Sequence, residues 1–249
     1  FWLSDKERGH LDPRTLHRLA TGASDRVFRQ LVRRESPSTA VTLLVDLSYS
    51  MRDKLVLTRQ TALVFAEALD LLGIANSVLG FSTDDAKRVH AHLIQQGFDP
   101  GELEHSFRIM PLVHTLFKPF HESFRTAACR FMEMSAQAMT PLGESLLVTG
   151  RQLAARRETR KIIFCLTDGK PYISRPLQQA TYTHAKETIA RLERSGIEVV
   201  LIGIQEPCVT DLHHRSIVVK ALADLPTTVM RQLQQVLQRS GAVSDRRSA

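Results

Sequence analysis

Asp46, Ser48 and Ser50 place one carboxylate and two hydroxyls at alternate positions at the end of the apolar run Val41-Thr42-Leu43-Leu44-Val45. Side chains two residues apart in extended backbone project the same way, so the three oxygens can converge on one small object. A single negative charge among neutral oxygens suits a hard cation, Mg²⁺ first, with Mn²⁺ or Ca²⁺ as alternatives, and leaves room for water or an outside ligand. Two more oxygens fit the same chemistry. Thr140 opens the turn Thr140-Pro141-Leu142-Gly143, and Asp168 follows the apolar run Ile162-Ile163-Phe164-Cys165-Leu166 in Thr167-Asp168-Gly169. Each piece alone is ordinary: Ser50 could cap a helix, Thr-Pro commonly starts one, and Asp-Gly is a frequent turn. Their joint occurrence, in this order and at strand ends, is far more specific. With only two carboxylates the ion keeps positive character, so an Asp or Glu from another protein could complete its shell.

These residues need a scaffold that brings three loops to one edge. The chain supplies alternating strand and helix patterns: strand 41–46, helix 54–72 closed by Gly73, strand 74–81, helix 144–156, strand 161–167, helix 178–195 closed by Gly196, and strand 197–204. Continuous apolar runs are the mark of parallel strands covered on both faces. The expected fold is therefore α/β, a three-layer, doubly wound, mostly parallel sheet, in which ligands bind beyond the carboxyl ends of the strands. Residues 1–40 read as a polar, basic lead-in segment packing on the main domain, with a short helix over 12–19. The main domain runs over 41–240. Its pattern loosens at about 82–119, which reads as a long insertion, and helical character returns over 120–137. A C-terminal helix is expected over 225–237 and a disordered tail over 241–249.

Bulk composition narrows the classes. The 249 residues are 43% hydrophobic and 24% charged, and no apolar stretch approaches the roughly 20 residues that cross a bilayer. Phe1-Trp2-Leu3-Ser4-Asp5-Lys6 does not read as an export signal, and the absence of an initiator Met points to a piece of a longer product. Three well-separated cysteines, Cys129, Cys165 and Cys208, form no C-x-x-C pair. A disulfide framework or zinc-thiolate site is not expected, a reducing cytoplasm is, and Cys165 reads as a small buried hydrophobe. The net charge of +7 comes partly from basic pairs such as Arg33-Arg34 and Arg156-Arg157. These could meet nucleic acid or an acidic partner, but one Trp, three Tyr and no aromatic-basic interleaving offer little for base stacking. Solvated helix ends are the simpler account.

The ordered set D-x-S-x-S, T-P-L-G and T-D-G resembles the metal-ion-dependent adhesion site (MIDAS) of von Willebrand factor A (VWA) domains. The resemblance implies that Asp46, Ser48 and Ser50 form the first ligand loop, that Thr140 is the second-loop ligand, and that Asp168 is the third-loop carboxylate. A closer similarity is to the VWA-bearing, CobT-type subunit of aerobic cobaltochelatase. It rests on Leu11-Asp12-Pro13, Leu79-Gly80-Phe81-Ser82-Thr83, Phe117-Lys118-Pro119-Phe120, Gly143-Glu144-Ser145-Leu146 and Arg160-Lys161-Ile162-Ile163. Tyr49 stands where that family usually carries Gly between the serines. VWA proteins paired with MoxR-type ATPases are similar over a shorter span. The resemblance implies a Rossmann-like VWA fold and a partner that is a ring-forming AAA+ ATPase.

Other chemistries find less support. His90 and His92 have the spacing of two same-side strand residues but no third ligand nearby, and His213-His214 are adjacent, where neighbours rarely share an ion. H-E-x-x-H, G-x-S-x-G, G-x-G-x-x-G and the P-loop pattern are all absent. The expected function is a cytoplasmic adaptor with no catalysis of its own. It uses Mg²⁺ to dock an acidic residue of a AAA+ ATPase. Two rivals are a subunit of an ATP-dependent cobalt or magnesium chelatase acting on a tetrapyrrole, and a basic nucleic-acid-associated module.

Overall fold

The computed structural model describes residues 2–6, 10–12, 28–31, 38–84, 86–99, 101, 111–221 and 223. The chain divides into two compact units, Phe1–Ser36 and Pro37–Ala249. In the first, β1 (Trp2–Lys6), β2 (His10–Leu11) and β3 (Phe28–Leu31) form an antiparallel sheet in the order β1-β3-β2. The short helix expected over 12–19 falls almost wholly outside the described residues, as do the expected helix 225–237 and the tail 241–249.

The second unit is a six-stranded sheet in the order β6-β5-β4-β7-β8-β9. Its strands are β4 (Thr39–Asp46), β5 (Ala75–Thr83), β6 (Leu112–Lys118), β7 (Arg160–Thr167), β8 (Ile197–Ile204) and β9 (Ser216–Val219). All neighbouring pairs are parallel except β5 and β6. The helices are α1 (Leu55–Leu71), α2 (Ala86–Gln95), the short α3 (Phe124–Ala127), α4 (Leu142–Ala154), α5 (Gln178–Arg194) and the short α6 (Val209–Leu212).

Strand pleating sorts the core into two layers. Val41, Leu43 and Val45 of β4 pack with Leu57, Phe65 and Leu69 of α1, and the Phe65 ring lies 5.3 Å from that of Phe164. Ala40 and Leu44 face the other way, among Leu146 of α4 and Ala185, Ile189 and Leu192 of α5. Helix α1 thus covers one face of the sheet while α4 and α5 cover the other, which is the expected three-layer plan. The even positions of β4 and the odd positions of β7 share the α4/α5 face. This parity decides where Asp46 and Thr167 point.

The structure corrects several element assignments. The supposed insertion holds two regular elements: helix α2 and the antiparallel edge strand β6. The stretch over 120–137 is helical only as α3 and a following 3₁₀ turn over Ala128–Glu133. Another 3₁₀ turn, Tyr49–Lys54, precedes α1. The edge strand β9 follows the loop after β8. His90 and His92 lie on a helix, not a strand, so residues two apart point away from one another.

Candidate metal centre

Strands β4 and β7 pair in parallel with Val45 opposite Leu166, so Asp46 and Thr167 end their strands side by side. Both side chains fall on the α4/α5 face, and the Thr167 hydroxyl donates to Asp46 Oδ2 at 2.7 Å. The other carboxylate oxygen, Oδ1, accepts from the Ser48 backbone N–H at 2.9 Å. That bond turns the chain as it leaves β4. Ser48 then starts the 3₁₀ turn, with the Met51 N–H bonding back to its carbonyl at 3.0 Å. The turn brings the Ser48 and Ser50 hydroxyls within 3.1 Å of each other. Extended alternation would have put them on one side, and the observed turn achieves the same convergence by a tighter path.

The loop bearing Thr140 is tied down from three directions. The Gln137 N–H donates to the Leu47 carbonyl at 2.6 Å, and the Tyr49 N–H to the Ala138 carbonyl at 3.0 Å. At the end of β5, Ser82 Oγ accepts from the Ala138 N–H at 3.1 Å, and Thr83 Oγ1 accepts from the Met139 N–H at 3.2 Å. Thr140 itself forms an antiparallel bridge with Tyr172, its N–H donating to the Tyr172 carbonyl at 2.9 Å. The second loop is thereby laced to the first and the third. Thr140 is buried, and Ser48, Ser50 and Thr140 line one cavity of about 560 Å³ together with Tyr49, Met139 and Tyr172.

Asp168 follows β7, two residues before Lys170, which also lines this cavity. Its Oδ1 accepts from the Lys170 N–H at 3.2 Å. Gly169 supplies the left-handed backbone (φ 73°) that the turn needs, and a Cβ there would come 2.7 Å from Val209. Five oxygen-bearing residues from three loops therefore gather at the carboxyl ends of β4 and β7. Asp168 is near enough to Asp46 for its charge to help raise the Asp46 pKa.

The electrostatics leave room for a cation. Asp46 is fully buried, and its pKa is raised to about 6, chiefly by burial and partly by Asp168, against the lowering bonds from Thr167 and Ser48. Asp168 Oδ2 is buried and has no hydrogen-bond partner among the described residues. The nearest ammonium, Lys54 Nζ, stands 3.8 Å from it, too far for a hydrogen bond, and donates instead to Glu206 Oε1 at 3.1 Å. An orphaned carboxylate oxygen and a desolvated neighbour, next to two hydroxyls, form a donor set that fits a hard divalent ion.

Three contributors were not singled out from the sequence. Thr167 was legible in principle, because it shares a pleat face with Asp46 on the adjacent strand. Lys54 and Glu206 are 152 residues apart and carried no such signal. Cys165 is buried as expected, and the three cysteines are all free. No helix among the described residues is long and apolar enough to cross a membrane.

Comparison with known proteins agrees with this architecture. The sequence family described as "Cobalamin biosynthesis protein CobT VWA domain" matches residues 27–239. A curated relative, the "Uncharacterized protein YojO" of Bacillus subtilis, is 23% identical over 95% of this chain and 36% of its own length. Among solved structures, the PilB minor pilin of Streptococcus sanguinis superposes with a TM-score of 0.60 at 14% identity, over 85% of this chain and 64% of its own. The pilus adhesin SpaC of Lactobacillus rhamnosus GG, in its open conformation, gives 0.59 at 15% identity, over 83% of this chain and 31% of its own. The chain thus spans about a third of the length of YojO and of SpaC. At these identities the solved structures speak for the fold alone.

Proposed function

The chain belongs to the CobT VWA-domain family, and from that premise we propose that it is a metal-dependent protein-docking domain. Asp46, Ser48, Ser50, Thr140 and Asp168 would hold a divalent ion, Mg²⁺ by donor chemistry, in the manner of a MIDAS. The bound ion would supply a Lewis-acidic position for an Asp or Glu side chain of a partner. The partner class we propose is a AAA+ ATPase ring of the MoxR or cobaltochelatase type, working in the cytoplasm.

One observation carries this reading: the buried Asp168 Oδ2, which accepts no hydrogen bond, lies close to the desolvated Asp46 carboxylate at the strand edge where hydroxyls from two other loops line one cavity. The chain's own residues have clear tasks. Thr167 and the Ser48 N–H fix both oxygens of Asp46. The hydrogen-bonded lacing of the 137–140 loop holds Thr140 at the same edge.

The test is Mg²⁺ titration of the purified chain by calorimetry, followed by binding to the ATPase in Mg²⁺ and in EDTA. Asp168→Ala should abolish both Mg²⁺ uptake and metal-dependent binding while the far-ultraviolet circular dichroism stays unchanged. Partner binding that persists in EDTA would overturn the proposal. The description of the family within cobalamin biosynthesis favours one second reading, a non-ATPase subunit of a chelatase acting on a tetrapyrrole. Reconstitution with the ATPase, a divalent metal and a corrinoid distinguishes the two, since an adaptor for another client yields no metal insertion.

A further inference from the structure

Glu193, His213 and His214 form a second cluster, built on the last turn of α5 and the turn between α6 and β9. One ligand-capable atom from each lies within 4.8 Å of the others. The cluster belongs to the opposite end of the strands from Asp46. His213 contacts the Val199 carbonyl, near the start of β8, whereas Thr167 aligns with Gly203 near its end. Sequence adjacency argued against His213 and His214 sharing an ion, yet the backbone turn sets their rings edge to face with centroids 4.3 Å apart.

We infer that this cluster is a second metal site, selective for Zn²⁺ or a similar late first-row divalent ion. Two imidazoles and a carboxylate are the donor set such ions take, and Mg²⁺ is poorly served by imidazole nitrogen. The three residues have graded exposure: His213 is 7% exposed, Glu193 is half-buried and His214 is open to solvent. They line a cavity of about 340 Å³ shared with Asp211. Three protein ligands at its wall would leave a coordination position open to water.

Glu193 Oε1 is buried and accepts no well-formed hydrogen bond among the described residues. His213 Nε2 approaches it to 3.3 Å and Arg215 Nη1 to 3.6 Å. Arg215 also reaches Glu198 Oε2 at 3.5 Å, so its charge keeps a partner when Glu193 turns to a metal. His213 Nε2 lies 3.1 Å from the Val199 carbonyl, and a proton held there would leave Nδ1 as the ring atom that takes the metal.

The competing account is a structural clamp in which His213 and Glu193 merely join α5 to the turn. That account uses exposed His214 only as a ring packed on His213, whereas the metal site needs all three residues as ligands. The test is Zn²⁺ titration of the full chain by calorimetry in millimolar Mg²⁺, with metal-free thermal unfolding measured in parallel. Wild type and Asp46→Asn should each take up one Zn²⁺ at this site. His214→Ala and Glu193→Gln should each weaken it at least tenfold, with the metal-free melting temperature of His214→Ala unchanged. The ¹⁵N shifts of both imidazoles should move on Zn²⁺ addition. Zn²⁺ uptake that survives both substitutions, or that disappears in Asp46→Asn, would overturn the inference.

Discussion

The two ends of the sheet solve the problem of gathering donors in opposite ways. At the carboxyl ends of β4 and β7, oxygens come from three loops, and each loop is fixed by backbone hydrogen bonds to another. Four of the five, Asp46, Ser48, Thr140 and Asp168, are buried, and Ser50 at the rim is exposed. At the α5–β9 corner, the donors are two imidazoles and a carboxylate, and one of the three is exposed. The first arrangement is a property of the topology, because strand ends in a parallel sheet converge whatever the loops contain. The second depends on one tight turn that places adjacent histidines against the end of a helix. Hardness of the donors therefore separates the two sites, and the two should respond to different ions.

Removing a carboxylate from the buried end should have the largest effect. Asp168→Ala eliminates the oxygen that accepts no hydrogen bond, and Mg²⁺ binding should fall below detection in calorimetry while the Zn²⁺ isotherm keeps its affinity. If Mg²⁺ uptake survived, the contrast between the two ends would fail, because Mg²⁺ would be binding elsewhere.

The next effect is on stability, and its sign follows from Asp46. The folded-state pKa, about 6, lies above the ordinary value of 3.8. The fold therefore favours the protonated carboxyl. This contribution is fully present below pH 3.8 and is lost as pH rises through about 6. A shift of that size corresponds to about 3 kcal/mol. Other groups titrate in the opposite sense, notably Glu158 and Glu206, which arginine and lysine neighbours hold below the usual carboxylate range. The measurement is thus the difference between wild type and Asp46→Asn in metal-free urea unfolding at pH 4 and pH 7. The substitution should remove the penalty that appears toward neutrality, and its relative gain should shrink when Mg²⁺ is added to wild type. An unchanged difference between the two pH values would mean that Asp46 is not the desolvated acid described here.

The oxygen-rich end was readable in the sequence, and the corner was not. D-x-S-x-S, Thr140 and Asp168 each abut an element boundary with strong apolar or turn signals, and the run Ile197–Ile204 matches β8 at both ends. Local pattern failed where packing asks less of the sequence. Strand β6 lies at the sheet edge, and most of its residues are only partly buried, so Leu112–Lys118 lacks the continuous apolar run of a central strand. Strand β9, four residues at the other edge, has the same weakness. Glu193 and His213 are brought together by the α5–β8 connection and the return through α6. No short motif spans that distance.

A smaller effect should separate the clusters by cross-talk. Filling the histidine site with Zn²⁺ should change Mg²⁺ affinity at the Asp46 edge by less than twofold. The two sites share no ligand and lie at opposite ends of β8 and its neighbours, and independent sites are additive in free energy. A larger coupling would point to one shared site.

The subtlest difference lies with Thr167, which touches Asp46 but is not among the proposed ligands. Its hydroxyl does two things: it donates to Asp46 Oδ2 at 2.7 Å and accepts from the Gly169 N–H at 3.0 Å. Thr167→Ser keeps both bonds and should leave Mg²⁺ affinity within about twofold of wild type, since a side-chain hydrogen bond is worth about 1 kcal/mol and none is lost. Thr167→Val keeps the shape but loses both bonds, frees Asp46 to turn, and leaves the Gly169 N–H unpaired in a buried turn. Mg²⁺ affinity should drop severalfold, and the apparent pKa of Asp46 should rise further because a lowering bond is gone. Zn²⁺ binding at the corner should not change in either variant. Should Val behave as Ser does, Asp46 would be held by its backbone contact to Ser48 alone, and the pleat parity that pairs it with Thr167 would matter for packing rather than for the metal.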